Sequence, residues 1–221
     1  MFVGHYSAAF AGKGYDRRVP LWALFVATQF VDFLWSILVL AGVEKVRITP
    51  GLMAASPLDL YYMPITHSLT GAILWSAVGG IVLNFAVKAR NMKTAVVLAV
   101  AIFSHWVLDL IVHRPDLPIF SDAGTKLGFG MWNYFWPEFA LELLLVVAGI
   151  QWWLKTEREA GASTPALVRA AWILFGLLVV CQCIDKFGPP PASPQMAAGS
   201  ALVAYTVLAG IAAWAGNQAK S

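Results

Sequence analysis

The stretch from Lys93 to His113 reads KTAVVLAVAIFSHWVLDLIVH, and it decides the fold class of the chain. Its first half is almost wholly apolar. The length of the whole stretch matches the roughly 20 residues that a helix needs to cross a bilayer. Its second half carries His105, Asp109 and His113 at intervals of four. Because residues four apart lie nearly on one face of a helix, these three groups share one side of an apolar segment. The stretch predicts a membrane helix with one polar face.

Further segments of this kind fill the chain. The 221 residues are 59% apolar and only 12% charged, which is typical of a protein whose solvent is a bilayer. Six candidate spans can be read, at about 20–42, 66–88, 93–113, 137–154, 165–186 and 195–215. We therefore predict an all-α, polytopic membrane helix bundle. It forms one integral membrane domain over 1–221, with a metal-site region at about 1–142 and a C-terminal helix pair at about 165–215.

The N-terminal segment Phe2 to Ala11 is apolar but has only half the length of a span. It lacks the basic region and the small-residue cleavage site of a secretory signal peptide. We predict a short interfacial or re-entrant half-helix, after which Gly12 and Gly14 let the chain turn.

Lysine and arginine are unevenly distributed between the two sides of the predicted bundle. Ten of the 15 fall on the side of the N-terminus and five on the other side. The positive-inside rule then places both termini in the cytoplasm. It also accounts for the net charge of +3 without a nucleic-acid partner, so we expect membrane lipids, and no nucleic acid, as partners. The compartment that fits is a prokaryotic cytoplasmic (inner) membrane, and the oligomeric state stays open.

Three connections are predicted on the outer side, at 43–65, 114–136 and 188–194. The first two are long and contain prolines, glycines and aromatic residues, and the third is a stiff proline-rich connector. Long ordered loops over one end of a bundle often form a binding or catalytic site.

Ionisable residues inside membrane helices are rare, and they mark a cavity, a partner or an ion path. The candidates here are Asp32, His67, His105, Asp109, His113, Glu138 and Glu142. The predicted topology brings all of these, with Asp32 somewhat deeper, towards the outer ends of their helices. Each residue alone is explained by helix packing or by the helix dipole. Together, imidazoles and carboxylates form the ligand set of a divalent transition metal, with zinc as first choice and manganese or iron as alternatives.

Several of these short motifs resemble those of the YdjM-like, membrane-bound metal-dependent hydrolase family. They are the Thr66-His67-Ser68 triplet before a membrane helix, the Ser104-His105 pair with Asp109 on the next helix, Gly4-His5 near the N-terminus, Asp32 in the first span, and the MWNYFWPE stretch at 131–138. The similarity covers roughly residues 1–140. It implies a membrane-bound hydrolase and adds His5 to the candidate metal ligands.

The chain departs from the pattern of that family at two places. Asp32 is followed by Phe33, Leu34 and Trp35, where the family commonly has Asp-x-Asp-His. Tyr62 and Met63 precede the triplet, where the family commonly has His-Arg.

The sequence thus favours a membrane-embedded metallohydrolase that acts on a lipid or lipid-linked phosphoester at the outer interface. In this hypothesis Glu138 or Glu142 is the general base, and Arg114 binds the anionic head group. An ion or proton transporter is one alternative, although no internal repeat is visible. A structural subunit without catalytic function is another, and it predicts no metal.

Overall fold

The structure is a computed structural model that describes residues 1–218, and its fold is all-α, as predicted. Eight helices form the bundle, namely α1 Tyr6–Tyr15, α2 Leu21–Thr28, α3 Phe30–Leu40, α4 Leu69–Ala86, α5 Met92–Val112, α6 Phe135–Glu159, α7 Pro165–Phe187 and α8 Pro194–Asn217. Four short strands complete it, namely β1 Lys45–Ile48, β2 Leu58–Tyr62, β3 Leu117–Pro118 and β4 Lys126–Leu127. Two 3₁₀ turns, Val3–His5 and Met131–Asn133, precede α1 and α6.

Five helices, α4 to α8, are long and apolar enough to cross a membrane. The bent pair α2 and α3 passes the same test as one unit, which gives a sixth span. The prediction of about six spans in an integral membrane protein is thereby confirmed. The orientation predicted for the termini stays a prediction, and residues 219–221 lie outside the described part of the chain.

The first span is broken and is not the continuous helix expected over 20–42. Its two halves meet at Gln29 with a bend of 52°. Gln29 leaves the helical conformation, and its side-chain amide donates to the Phe2 carbonyl at 3.1 Å. A break in a helix frees backbone carbonyls from their helical donors. The Thr28 carbonyl freed here accepts a hydrogen bond from His105 instead.

Two other expected boundaries differ. The fourth span, expected to be the shortest, is the 25-residue α6. His67 does not open a helix, because α4 begins at Leu69 with the Ser68 hydroxyl as its N-cap. The ring of His67 therefore projects from the turn that precedes α4, in which the His67 amide donates to the Met63 carbonyl at 3.2 Å.

The N-terminal half-helix exists, but it does not turn at Gly12 and Gly14. Both glycines lie inside α1, and a Cβ on Gly14 would come within 3.3 Å of the Trp153 backbone on α6. From the other side, Gly149 of α6 faces the Ser7 carbonyl, which lies 2.6 Å from where its Cβ would be. These glycines therefore allow close packing of α1 against α6. The chain turns after α1, where Arg18 binds the Asp16 carboxylate and holds its pKa at about 2.

The long connections fold over one end of the bundle. The 43–65 segment is a hairpin in which β1 and β2 pair antiparallel, and β3 and β4 pair within the 114–136 segment. They share an apolar cluster with the end of α3, the end of α5 and the beginning of α8. The cluster includes Trp35, Val39, Val46, Met53, Leu60, Met63, Val112, Leu117, Trp132 and Ala198. The 43–65 and 114–136 segments thus form a cap over this end of the bundle.

Candidate metal centre

The only four histidines of the chain meet at one place. His5 comes from the N-terminal 3₁₀ turn, His67 from the segment before α4, and His105 and His113 from the end of α5. All four are at least 95% buried. Such burial of every histidine in one cluster indicates a specific polar site and not scattered packing residues.

The Asp109 carboxylate lies at the centre of the cluster. Its Oδ1 is 3.1 Å from His5 Nε2 and 2.7 Å from the Met1 nitrogen. Its Oδ2 is 3.1 Å from His105 Nε2, 3.6 Å from His113 Nε2 and 3.7 Å from His67 Nε2. One buried carboxylate is thus surrounded by the Nε2 atoms of all four imidazoles.

A second carboxylate, that of Asp32, closes the other side of the cluster. Its Oδ1 lies 3.3 Å from His67 Nε2 and 3.5 Å from His105 Nε2. Its Oδ2 accepts a hydrogen bond from the Tyr205 hydroxyl of α8 at 2.9 Å. Asp32 belongs to the first turn of α3, so the bend in the first span aims it into the site.

Three of the imidazoles are fixed through their other ring nitrogen. His105 Nδ1 donates to the Thr28 carbonyl at 2.8 Å, and His113 Nδ1 lies 2.8 Å from the Asp116 carboxylate. His67 Nδ1 lies 2.7 Å from Thr66 Oγ1. Since these partners accept, each Nδ1 carries a proton, and each Nε2 faces the cluster, where in the neutral tautomer its lone pair can bind a metal ion.

The Thr66 hydroxyl accepts from His67 because it donates elsewhere. It lies 2.6 Å from Glu44 Oε2, and the carboxylate can only accept. The other Glu44 oxygen accepts from the backbone amides of Ile65 and Thr66. Glu44, Thr66 and His67 therefore form a buried relay that fixes the orientation of the His67 ring.

Two groups of side chains can hold a metal ion, and they share His105. One consists of His5, His105 and Asp109, and the other of Asp32, His67 and His105. In each group the ligand atoms lie within 4.8 Å of one another. Two ligands of one tetrahedral zinc ion lie about 3.3 Å apart, given bonds of about 2.0–2.1 Å. The separations of 3.1 to 3.7 Å between Nε2 and carboxylate oxygen atoms fit this spacing.

The unused hydrogen-bonding atoms of the cluster also favour a metal ion. His5 Nδ1 is buried and has no hydrogen-bond partner among the described residues. His5 Nε2 and His105 Nε2 each lie 3.1 Å from an Asp109 oxygen, but neither forms a well-directed hydrogen bond with it. Buried imidazole nitrogens seldom stay unpaired. A cation between them and the carboxylates satisfies both at once.

His5 depends on the N-terminal segment for its place in the cluster. The segment is held by Glu142 of α6, whose Oε2 accepts from the Gly4 amide at 2.7 Å and from the Phe2 amide at 3.1 Å. The half-helix thus reaches the candidate site, as the inclusion of His5 requires.

Glu138 and Glu142 both have partners within the protein. Glu142 binds the backbone amides of the N-terminal segment, and Glu138 forms an ion pair of 3.0 Å with Lys186 of α7. Neither glutamate lines the cavity described below. The two glutamates, expected to converge on the cluster, therefore lie beside it and do not contribute carboxylates to it. Asp32, expected to be deeper, belongs to the cluster.

Arg114 is also engaged within the protein. Its guanidinium pairs with Asp59 of β2 and lies 3.3 Å from Asp116 Oδ2. Asp116 in turn binds the His113 ring, so the arginine supports that ring. Arg114 does not line the cavity, and its predicted role in substrate binding stays a prediction.

A cavity of about 680 Å³ opens onto the cluster. Asp32, His67, Asp109 and His113 line its inner end. Its walls are the 50–58 loop, the end of α7, the 188–191 connector and the first half of α8. All three long connections thus contribute to one site.

Sequence reasoning did not identify several residues of this site. Thr66 and Asp116 lie one and three residues from histidines in the chain, and this proximity was the available signal. Trp35 lies three residues after Asp32 on α3, and this helical spacing was its signal. Glu44, Tyr205 and Lys186 reach the site only through the tertiary fold, and no local pattern marks them.

No family model matches the chain, and neither the curated proteins nor the solved structures contain a significant match to it.

Proposed function

We propose that this protein is a membrane-embedded, metal-dependent hydrolase, in line with the resemblance of its motifs to the YdjM-like family. The observation that carries the proposal is the orientation of the three fixed imidazoles. Each has its Nδ1 bound to an acceptor and its Nε2 within 3.7 Å of the Asp109 carboxylate. Neutral imidazoles with an outer hydrogen-bond partner, opposite carboxylates, are the usual arrangement of metal ligands in enzymes.

The donor set favours zinc, with manganese or iron as alternatives, because imidazole and carboxylate suit all three ions. When bound, such an ion supplies Lewis acidity and a water of lowered pKa for hydrolysis. The protein contributes the residues that hold the ion and face the substrate. Asp32, held through Oδ2 by Tyr205, faces the cavity and is the least buried member of the cluster, with 13% of its side chain exposed.

The cavity favours a lipid or lipid-linked phosphoester as substrate. It lies between membrane-crossing helices and the cap, so a molecule anchored in the bilayer can bring its polar head to the cluster. Glu138 or Glu142 as the general base stays a prediction, with Glu142 bound to backbone amides and Glu138 paired with Lys186. The excess of basic residues on the opposite side supports a cytoplasmic membrane location with the site facing outward.

Elemental mass spectrometry of detergent-purified protein tests the proposal. We expect about one or two equivalents of a transition metal in the wild type, as for other histidine–carboxylate sites. The His105→Ala/Asp109→Ala variant should lose them, whereas Asp122→Asn, at an ion pair with Lys126 in the cap, should retain them. A wild-type protein that takes up no zinc, manganese or iron and gains no thermal stability from them would rule out the hydrolase.

A further inference from the structure

Two tryptophans beside the candidate metal centre carry unused hydrogen-bond donors. Trp35 of α3 and Trp132 of the cap are 5% and 6% exposed, and their indole Nε1 atoms have no acceptor among the described residues. Both line the same cavity as the cluster. Other buried indoles are paired, since Trp106 donates to the His67 carbonyl and Trp153 to Glu157.

Buried donors of this kind are costly unless a partner arrives. The two indoles flank the histidines that face the cavity. The Trp132 ring lies 4.3 Å from the His113 ring, and the Trp35 ring lies 6.5 Å from the His67 ring, between centroids. Both unpaired donors therefore belong to rings that neighbour the imidazoles of the cluster. Phosphoryl oxygens are strong hydrogen-bond acceptors, and a ligand with its phosphoryl group at the cluster would offer them to such donors.

Beyond the cluster the cavity is lined mainly by apolar side chains, together with Ser200, Asp185 and Lys186. Ala197, Ala201 and Ala204 of α8 line one side, and their small side chains leave the space that makes the cavity. Ile184 at the end of α7 and Met196 at the start of α8 also line it. These two are 67% and 56% exposed, so the cavity wall reaches the outer surface of two membrane-crossing helices here. Its volume falls in the range of about 300–1,000 Å³ that small-molecule sites occupy.

We propose that the cavity binds a phosphoester amphiphile, with Trp35 and Trp132 donating to its phosphoryl oxygens and its hydrocarbon chain lying along Ala197, Ala201 and Ala204. The chain enters from the bilayer between Ile184 and Met196. This assignment rests on the proposed hydrolase function, which supplies the reaction. The substrate class is an amphiphile with a polar head that accepts hydrogen bonds and one apolar tail. The two indoles are substrate-binding residues, which the sequence alone did not reveal.

Binding of two non-hydrolysable phosphonates to the full-length protein in detergent tests the proposal. Dodecylphosphonate has both head and chain, whereas methylphosphonate has the head alone. We expect the wild type to bind the dodecyl compound at least about tenfold more tightly, since each buried methylene adds affinity. Calorimetric titration against protein in matched micelles measures both affinities, and partition into the micelle is the same for every variant.

Two sets of variants separate the head from the chain. Trp35→Phe/Trp132→Phe keeps aromatic packing but removes both donors, and should weaken both phosphonates about tenfold, as expected for two lost hydrogen bonds. Trp152→Phe, at a half-exposed position far from the cavity, is its control. Ala201→Phe should weaken only the dodecyl compound, whereas Val203→Phe on the exposed face of the same helix should not.

Equal affinities of the wild type for both phosphonates, or equal behaviour of Ala201→Phe and Val203→Phe, would overturn the placement of the chain. Unchanged binding in the double tryptophan variant, with its melting temperature preserved, would overturn the placement of the head. If the expected pattern is observed in a protein that holds no metal, the amphiphile site stands and the hydrolase proposal fails.

Discussion

The imidazole ring of His5 is stacked on that of His105, with ring centroids 3.7 Å apart and planes inclined by only 8°. This contact joins the N-terminal half-helix to the deepest part of the candidate metal centre. A short helix has too few internal hydrogen bonds to hold its own position. Its placement therefore depends on contacts with the bundle, among them those of Glu142, which binds the Phe2 and Gly4 amides.

Replacing Glu142 by Gln should loosen this attachment. The amide retains one acceptor oxygen but loses the negative charge, and hydrogen bonds to a charged group contribute about 1.5–3 kcal/mol each. We expect a lower melting temperature and metal binding weakened about tenfold, because His5 is no longer held against His105. Differential scanning fluorimetry and competition with a chelator measure the two effects.

Glu159→Gln is the matched control, since Glu159 lies at the exposed end of the same helix and pairs only loosely with Lys155, at 3.8 Å. If Glu142→Gln melted like Glu159→Gln and kept full metal affinity, Glu142 would not hold the segment in place.

The relay from Glu44 through Thr66 to His67 makes a second prediction. Thr66→Val preserves side-chain shape but removes the hydroxyl that fixes the His67 ring. Loss of such an outer partner typically weakens metal binding by about 10- to 100-fold. We expect Thr66→Ser, which keeps the hydroxyl, to bind metal like the wild type.

Chelator competition on the two variants, with the melting temperature of the metal-free form measured in parallel, distinguishes orientation from stability. A purely structural role would lower the melting temperature of the metal-free protein and leave metal affinity unchanged. Equal metal affinities of the valine and serine variants would contradict the relay.

The sequence predicted much of the architecture and the main elements of the site because both depend on local periodicity. Spans follow from apolar runs, and the common face of His105, Asp109 and His113 follows from the helical repeat. The break at Gln29 did not follow, because it arises from contacts with the distant Phe2 carbonyl. The same break supplies the Thr28 carbonyl that orients His105.

The residues that support the cluster were beyond sequence reasoning for a similar reason. Glu44, Tyr205 and Trp132 come from different connections and helices, and only the tertiary fold brings them to the cluster and its supporting residues. Glu138 and Glu142 were correctly expected inside the bundle, where both are fully buried. Burial alone, however, does not distinguish a reactive carboxylate from one that binds a lysine or a backbone amide.

The ion pair between Glu138 and Lys186 gives the last prediction. Both side chains are buried, with exposures of 0% and 3%, and their charged atoms lie 3.0 Å apart. Lys186 also donates to the Ala55 carbonyl at 3.0 Å and so ties the cap to α7. Lys186→Met removes the compensating charge and leaves the Glu138 carboxylate buried without its ion-pair partner. Breaking a buried pair in this way typically costs about 3–5 kcal/mol.

Removing both charges should be far less harmful than removing one. We expect Glu138→Gln/Lys186→Met to melt close to the wild type, because an uncharged pair carries no desolvation penalty. Lys155→Met, at an exposed position, controls for the loss of a lysine. Thermal unfolding of Lys186→Met, Glu138→Gln, the double variant and the control in the same detergent completes the double-mutant cycle. If the single and double variants were destabilised equally, the pair would contribute through the link between Lys186 and the cap, and charge compensation of Glu138 would not be its role.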